Sequence, residues 1–312
     1  MLARYTRPPT CGELAMPDPT PLRDRMKAVN DRQVFFVGGP AKSGTTWLQH
    51  LLNAHPAVAC RGEGHLIRSL LPLVKGALET HNRKIETYNR GLFGETAGFP
   101  LFGQAELQVV VQSAVQVLLA RVLDDKPDAQ AIGEKTPANM ESFPLLSWAM
   151  PGARLLCTVR DPRDCFSSNW HQTLRVNPRY IETEHGGSMA RFARTYGRRW
   201  ATNVAAGMKA AEAQPRAVRI VRYEDLHRTP QTVLPPLLSC LGVADDEAHV
   251  TACIEGASFS RLSGGRKRGE ESRGSFFRKG VVGDWRTTLD APAAAALVDE
   301  AGPWMQHFDY GA

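Results

Sequence analysis

This sequence predicts an α/β fold, a single domain built on a central parallel sheet flanked by helices. Three observations predict it. An apolar run, Val34-Phe35-Phe36-Val37, passes through a glycine-rich turn from Gly38 to Gly44 into Leu48-Gln49-His50-Leu51-Leu52, so a buried strand, a tight turn and a helix follow one another directly. Strand-length apolar runs then alternate with helix-length segments, the pattern of a parallel sheet covered on both faces. A content of 43% hydrophobic and 22% charged residues over 312 positions is that of a globular chain.

Residues 1–30 hold Pro8, Pro9, Pro17, Pro19 and Pro21 and read as an extended or partly disordered lead-in with a short helix near 22–29. Residues 31–312 read as the domain, since no stretch inside them has linker composition. Strands are predicted over 34–38, 57–60, 131–134, 154–159 and 218–222, where β-branched and aromatic residues cluster between turn residues. Helices are predicted over 46–53, 66–78, 106–123, 141–149, 164–174, 188–211, 232–241, 244–255 and 293–300 from their apolar spacing. The helix over 106–123 is apolar around much of its circumference and is expected to be well buried. No apolar run comes near the roughly 18 residues of a membrane span, and the N-terminal region lacks the apolar core of a signal peptide.

Six cysteines, Cys11, Cys60, Cys157, Cys165, Cys240 and Cys253, are scattered without paired ligand spacing. That distribution points to a reducing cytoplasm, no structural disulfide and no metal. The net charge of +6 is uneven. Between Arg261 and Gly280 lie seven basic residues and two acidic ones, among glycines and without helical period. Such a stretch reads as a mobile loop that orders on a polyanion. Nucleic acid is one such ligand, but aromatic interleaving is limited to Phe276 and Phe277, and an anionic nucleotide accounts for the charge more economically.

The chemistry starts at the turn. A strand, a glycine-rich loop and a helix N-terminus converge backbone N–H groups and the positive end of the helix dipole on one point, which suits a phosphate. Gly39 and Gly44 have the spacing of a nucleoside-triphosphate loop, but Thr45 stands where that loop needs lysine, and the lysine is Lys42, inside the loop. A kinase with a modified phosphate loop is the alternative to the reading that follows.

Lys42-Ser43-Gly44-Thr45-Thr46-Trp47 resembles the 5′-phosphosulfate loop of sulfotransferases that use 3′-phosphoadenosine 5′-phosphosulfate (PAPS) as donor and release 3′-phosphoadenosine 5′-phosphate (PAP). Three later segments extend the resemblance in the same order. Arg160 ends an apolar run and Ser168 follows on a helix; the matching residues in that family hold the 3′-phosphate. Arg278-Lys279-Gly280-Val281-Val282-Gly283-Asp284-Trp285 is similar to the family's C-terminal signature, whose first three residues hold the same phosphate from the other side. Tyr223 in Tyr223-Glu224-Asp225-Leu226, with Ser258, Phe259 and Trp47, matches positions near adenine. The resemblance thus implies a P-loop-like sulfotransferase fold and transfer of a sulfonyl group to a hydroxyl or amine acceptor.

For catalysis it implies Lys42 at the leaving oxygen and Lys135, in Gly133-Glu134-Lys135-Thr136-Pro137, at the sulfonyl group. Cytosolic members place a histidine base two residues after that lysine; here Pro137 stands there. The stretch from His55 to His65 instead resembles Golgi-type tyrosylprotein sulfotransferases, where a glutamate is the base. Glu63 is the first candidate and His65 the second. Segment 87–104, which carries glycines and phenylalanines without period, reads either as a loop over the acceptor pocket or as a plain connection.

Overall fold

The computed structural model describes residues 18, 20–92 and 98–311. Five strands, β1 (Gln33–Gly38), β2 (Val58–Gly62), β3 (Ala131–Lys135), β4 (Arg154–Val159) and β5 (Val218–Arg222), form one sheet in the order β2-β3-β1-β4-β5. Every pair is parallel. The register sets Val37 and Gly62 on either side of Lys135, and Gly38 beside Cys157. The C-terminal ends of β1, β3 and β4 therefore share one edge. After β1 the chain crosses to the β2 side, and after β4 to the β5 side. That reversal opens a crevice between β1 and β4, the place where open α/β sheets bind ligands.

Alternate residues of the strands enter two cores. Phe36, Ile132 and Leu155 pack beneath α4 (Gln104–Val122), α5 (Phe143–Ala149), α8 (Met189–Ala213) and α14 (Ala291–His307), with Trp200 and Leu297 among their partners. Phe35, Val37 and Leu156 pack on the other face against α2 (Thr45–Ala54), α10 (Pro230–Cys240) and α11 (Glu247–Gly256). Period-2 alternation in a sheet covered on both sides requires this division. At the end of β1 the chain has no room for a side chain: a Cβ on Gly38 would lie 2.5 Å from the backbone nitrogen of Met140.

Most predicted elements are present with ends shifted by at most three residues, the helix over 293–300 runs on to His307, and four expectations are corrected. The helix predicted over 66–78 is a π-turn, Leu66–Leu70, leading into α3 (Leu71–Leu92), which runs far longer. Segment 87–104 is accordingly helical to Leu92. Residues 93–97 lie outside the described residues, and 98–103 are tied to α3: Asn82 bonds the N–H and carbonyl of Phe102, and Asn89 those of Phe99. The helix α4 buries Leu107, Val111, Val115 and Leu119 but leaves Val109 and Leu118 exposed, so it is amphipathic rather than enclosed. By length and composition it is apolar enough to cross a bilayer, against the sequence expectation, although a third of its apolar window is packed in the core. The lead-in contains α1 (Thr20–Asn30), with Val29 buried. The remaining helices are α6 (Pro162–Val176), α7 (Pro178–His185), α9 (Tyr223–Arg228), α12 (Phe259–Leu262) and α13 (Trp285–Thr288).

Candidate active site

A cleft of about 300 Å³ lies at the C-terminal edge of β1 and β4. Its floor is the turn between β1 and α2. Lys42 (φ 68°) and Gly44 (φ 98°) both adopt left-handed backbone, and a Cβ on Gly44 would sit 2.5 Å from the Tyr223 ring. Glycine is therefore required there twice over, by conformation and by the ring. Gly44 also stands at the N-cap of α2, and no side chain caps that end. The first N–H groups of α2, at Thr45, Thr46 and Trp47, thus face the cleft with the positive end of the helix dipole. Thr45 and Thr46 line it. Ser43 does not: it is buried, its hydroxyl pairs with Thr158 at 3.0 Å and its N–H bonds Pro40.

The Lys42 ammonium has no carboxylate partner among the described residues. It donates to Gln172 and lies 4.5 Å from the centre of the Phe276 ring. Burial first, then the charges of Arg175 and Arg160, bring its pKa down to about 8. A lysine so desolvated gains from an incoming anion.

A second cationic pole lies across the cleft. Arg160, at the end of β4, donates to Asp164 at 3.3 Å and to the Val281 carbonyl at 2.9 Å, and its guanidinium lies 4.3 Å from the Tyr223 ring centre. Its Nε is buried without a hydrogen-bond partner. Such an orphan donor is uncommon in a folded interior, and here it adjoins the cleft. From the opposite side, Arg278 pairs with Glu271 at 2.7 Å and with Asp284, while Lys279 pairs with Asp284 at 2.6 Å. Although burial alone would raise it, these hydrogen bonds from Lys279 and Arg278 hold the Asp284 carboxyl down at about 2. Ser168 and Gly280 complete the pole. Asp164 secures the geometry: buried, it accepts from Arg160 and from the N–H groups of Gly283 (2.7 Å) and Trp285 (3.1 Å).

The wall between the poles is aromatic. Trp47 meets Tyr223 edge-on at 5.3 Å, and its Nε1 donates to the Ala257 carbonyl. Tyr223 is set by its neighbour Glu224, which accepts from the Asp161 N–H and from the Tyr310 hydroxyl. Phe259 joins this wall, whereas Ser258 lies outside it.

Lys135 and Glu63 meet at 2.6 Å; Glu63 lines the cleft, whereas Lys135, its side chain nearly fully buried, lies behind it and outside the lining. The turn carrying Glu63 hangs from Glu134, which accepts from the Gly64 N–H at 2.7 Å, from Thr136 and from Asn139 at 2.9 Å. His65 Nε2 lies 3.6 Å from Glu63 and its side chain is half exposed, outside the cleft lining. None of residues 98–104 lines the cleft, so the described part of segment 87–104 is a connection rather than a loop over the pocket.

Several residues at the site were not singled out from sequence. Gln172 and Asn169 line the cleft from α6, one turn or less beyond Ser168, a position that helical spacing makes visible once Ser168 is placed. His50, one turn after Thr46, packs 6.0 Å from Phe277; burial and then Lys135 hold its ring below the usual imidazole range. The basic segment 261–280 is also not a set of free charges. Arg266 donates to the carbonyls of Glu270, Phe277 and Arg278 and to Ser275, which folds the loop around its guanidinium.

The chain belongs to the sulfotransferase family, whose sequence model matches residues 34–247. Human protein-tyrosine sulfotransferase 1 is 29% identical to it over 134 residues, which are 43% of this chain and 32% of the human protein. Arabidopsis thaliana cytosolic sulfotransferase 13 is 29% identical over 163 residues, 47% of this chain and 49% of the plant protein. The matched part thus spans about a third of the human relative and half of the plant one. Among solved structures, a mouse sulfotransferase complexed with PAP aligns at a TM-score of 0.52 and 16% identity, covering 93% of this chain and 91% of the mouse one. A sulfotransferase from Mycobacterium avium aligns at 0.51 and 15% identity, covering 93% and 81%. These likenesses show a shared fold.

The Lys42 titration gives a direct expectation. Below about pH 8 the side chain is charged and attracts an anion; above it the charge is lost. Affinity for adenosine 3′,5′-bisphosphate should therefore fall as pH rises through and above 8, and Lys42→Arg should flatten that fall. Calorimetric titrations between pH 7 and 9.5 check both; equal slopes for wild type and variant would remove Lys42 from the site.

Proposed function

We propose that this protein transfers a sulfonyl group from PAPS to a hydroxyl or amine acceptor. The observation that carries the reading is the pair of separate cationic poles. The turn at residues 42–46 suits a 5′-phosphosulfate. Arg160 with its unpartnered Nε, Ser168, Arg278, Lys279 and Gly280 suit a 3′-phosphate. The aromatic wall of Trp47, Tyr223 and Phe259 between them suits a purine. Family membership favours this donor over the ATP of a kinase. The free thiols of the five described cysteines, four of them buried as small packing groups, fit the cytoplasm as its location.

In this reading the acceptor hydroxyl approaches between Glu63 and the sulfur. The S–O bond to the acceptor forms as the S–O bond to the 5′-phosphate breaks, and the acceptor proton passes to Glu63. Lys42 leaves Gln172 to meet the charge on the leaving phosphate oxygen, and Lys135, behind Glu63, holds that carboxylate in place and would reach the sulfonyl oxygens only by a shift of its side chain. Positioning and fixed charge supply most of the acceleration, as in phosphoryl transfer. Tyrosine in a protein is the acceptor named for the human relative; a hydroxyl of any small molecule or peptide fits the same arrangement.

Two outcomes test this. PAP should bind this protein at least about 100-fold more tightly than AMP by calorimetry, because each charge-assisted hydrogen bond to the missing phosphate contributes roughly 1.5–3 kcal/mol. Equal affinities would overturn the two-pole reading. Glu63→Gln should cut transfer of radiolabelled sulfonyl from PAPS by about 10²–10⁴ while PAP affinity changes little, the scale of a lost general base. His65→Ala should retain most activity. The reverse pattern would make His65 the base.

A further inference from the structure

The basic loop contains an arginine that lines the cleft and that the folding of the loop does not use. Arg266 is consumed as the hub just described, and Arg278 and Arg273 face Glu271. Arg268 is exposed, lines the cleft, and has no hydrogen bond or carboxylate partner among the described residues. Its guanidinium instead lies over the Trp47 ring, 5.5 Å from the ring centre.

Both sides of this contact are anchored. The indole is fixed by its bond to Ala257 and by edge contacts with Tyr223 at 5.3 Å and His227 at 6.2 Å. The backbone on either side of Arg268 is fixed as well: the Lys267 N–H bonds the Glu270 side chain at 2.9 Å, and the Gly269 N–H bonds the Lys279 carbonyl at 2.9 Å. A guanidinium is planar and weakly hydrated, stacks on π-faces, and has no competing carboxylate here. It therefore rests over the Trp47 ring, and both residues line the cleft.

The geometry points to Arg268 as the movable wall of the base slot and a determinant of donor selection. On binding, it lifts by the thickness of a ring and stacks on the face of the adenine opposite Trp47. This rests on the PAPS reading of the site. Trp47, Tyr223 and Phe259 alone form a slot closed on one side; Arg268 closes the other with a residue whose charge favours an electron-rich purine. Because Gly269 is bonded to Lys279, closure over the base is mechanically tied to the segment that meets the 3′-phosphate. Charge there also bears on His227, which burial, then Arg268, hold below the usual imidazole range.

The test separates stacking from charge. Wild type, Arg268→Ala and Arg268→Lys are titrated with PAP and with an abasic ligand that keeps both phosphates, 1,4-anhydroribitol 3,5-bisphosphate. Arg268→Ala should lose roughly 3- to 30-fold in PAP affinity, the range of a stacked cation, and less than twofold for the abasic ligand. Arg268→Lys, which keeps charge without the planar group, should recover only part of the loss. Equal losses for both ligands would make Arg268 a general attractor of anions, and no loss for either would leave it outside the site; both overturn the inference. Wild type that binds PAP no better than the abasic ligand would overturn the base slot while sparing the phosphate sites. Wild type that binds neither would overturn the donor reading itself, and the inference with it.

Discussion

The site depends on one buried carboxylate. Asp164 stands in the first turn of α6 and accepts from the Arg160 guanidinium and from two backbone N–H groups, Gly283 and Trp285, that are more than a hundred residues away in sequence. It thereby joins the end of β4 to the C-terminal loop, two segments that no strand or helix connects. Charge-assisted bonds of this kind are the strong ones, and leaving either N–H buried without an acceptor costs about 1–3 kcal/mol. Asp284 repeats the device from the other side, collecting Arg278, Lys279 and the Ser167 hydroxyl. Arg160, Arg278 and Lys279 are thus set against Asp164, Asp284 and Glu271, which makes a cluster of cations tolerable before a ligand arrives. Glu271 is the most exposed of these carboxylates and is the one an incoming phosphate can replace on Arg278.

The catalytic end follows the same logic at smaller scale. Lys135 emerges from the sheet with its register set by β1 and β2 on either side, so its ammonium has little freedom. Glu63 lies on a turn, and a turn alone would not hold a carboxylate to within a fraction of an ångström. Glu134, the residue before Lys135, binds that turn through Gly64 and Thr136, and the Lys135–Glu63 pair closes the arrangement. A single strand end therefore places both Glu63 and its cation, one residue pointing into each task as the strand alternates.

Much of this was legible in the chain. The strand, glycine turn and helix around Lys42 are local, and local pattern determined them. Arg160, Tyr223 and Lys135 each close a strand or open the helix that follows it, so alternation of apolar runs located them on one edge. What escaped was decided by contacts distant in sequence. Nothing local says that Ser43 spends its hydroxyl on Thr158, that Asn82 and Asn89 hold 98–103 against α3, or that Arg266 folds the basic loop from within. In composition the 261–280 segment looks like free charge; in the structure its glycines allow the chain to wrap one guanidinium. The helix α4 misled for a different reason: its apolar content is high all round, and only packing distinguishes the buried face from Val109 and Leu118.

The central claim is that Asp164 assembles the second pole, and an isosteric change tests it. In Asp164→Asn the shape is kept while the charge and one acceptor are lost. The ratio of PAP to AMP affinity, measured by calorimetry on protein shown to be folded by its near-ultraviolet dichroism, should fall at least about tenfold with AMP affinity nearly unchanged, since one or more charged contacts at the 3′-phosphate are weakened. A folded variant that keeps the wild-type ratio would contradict the claim.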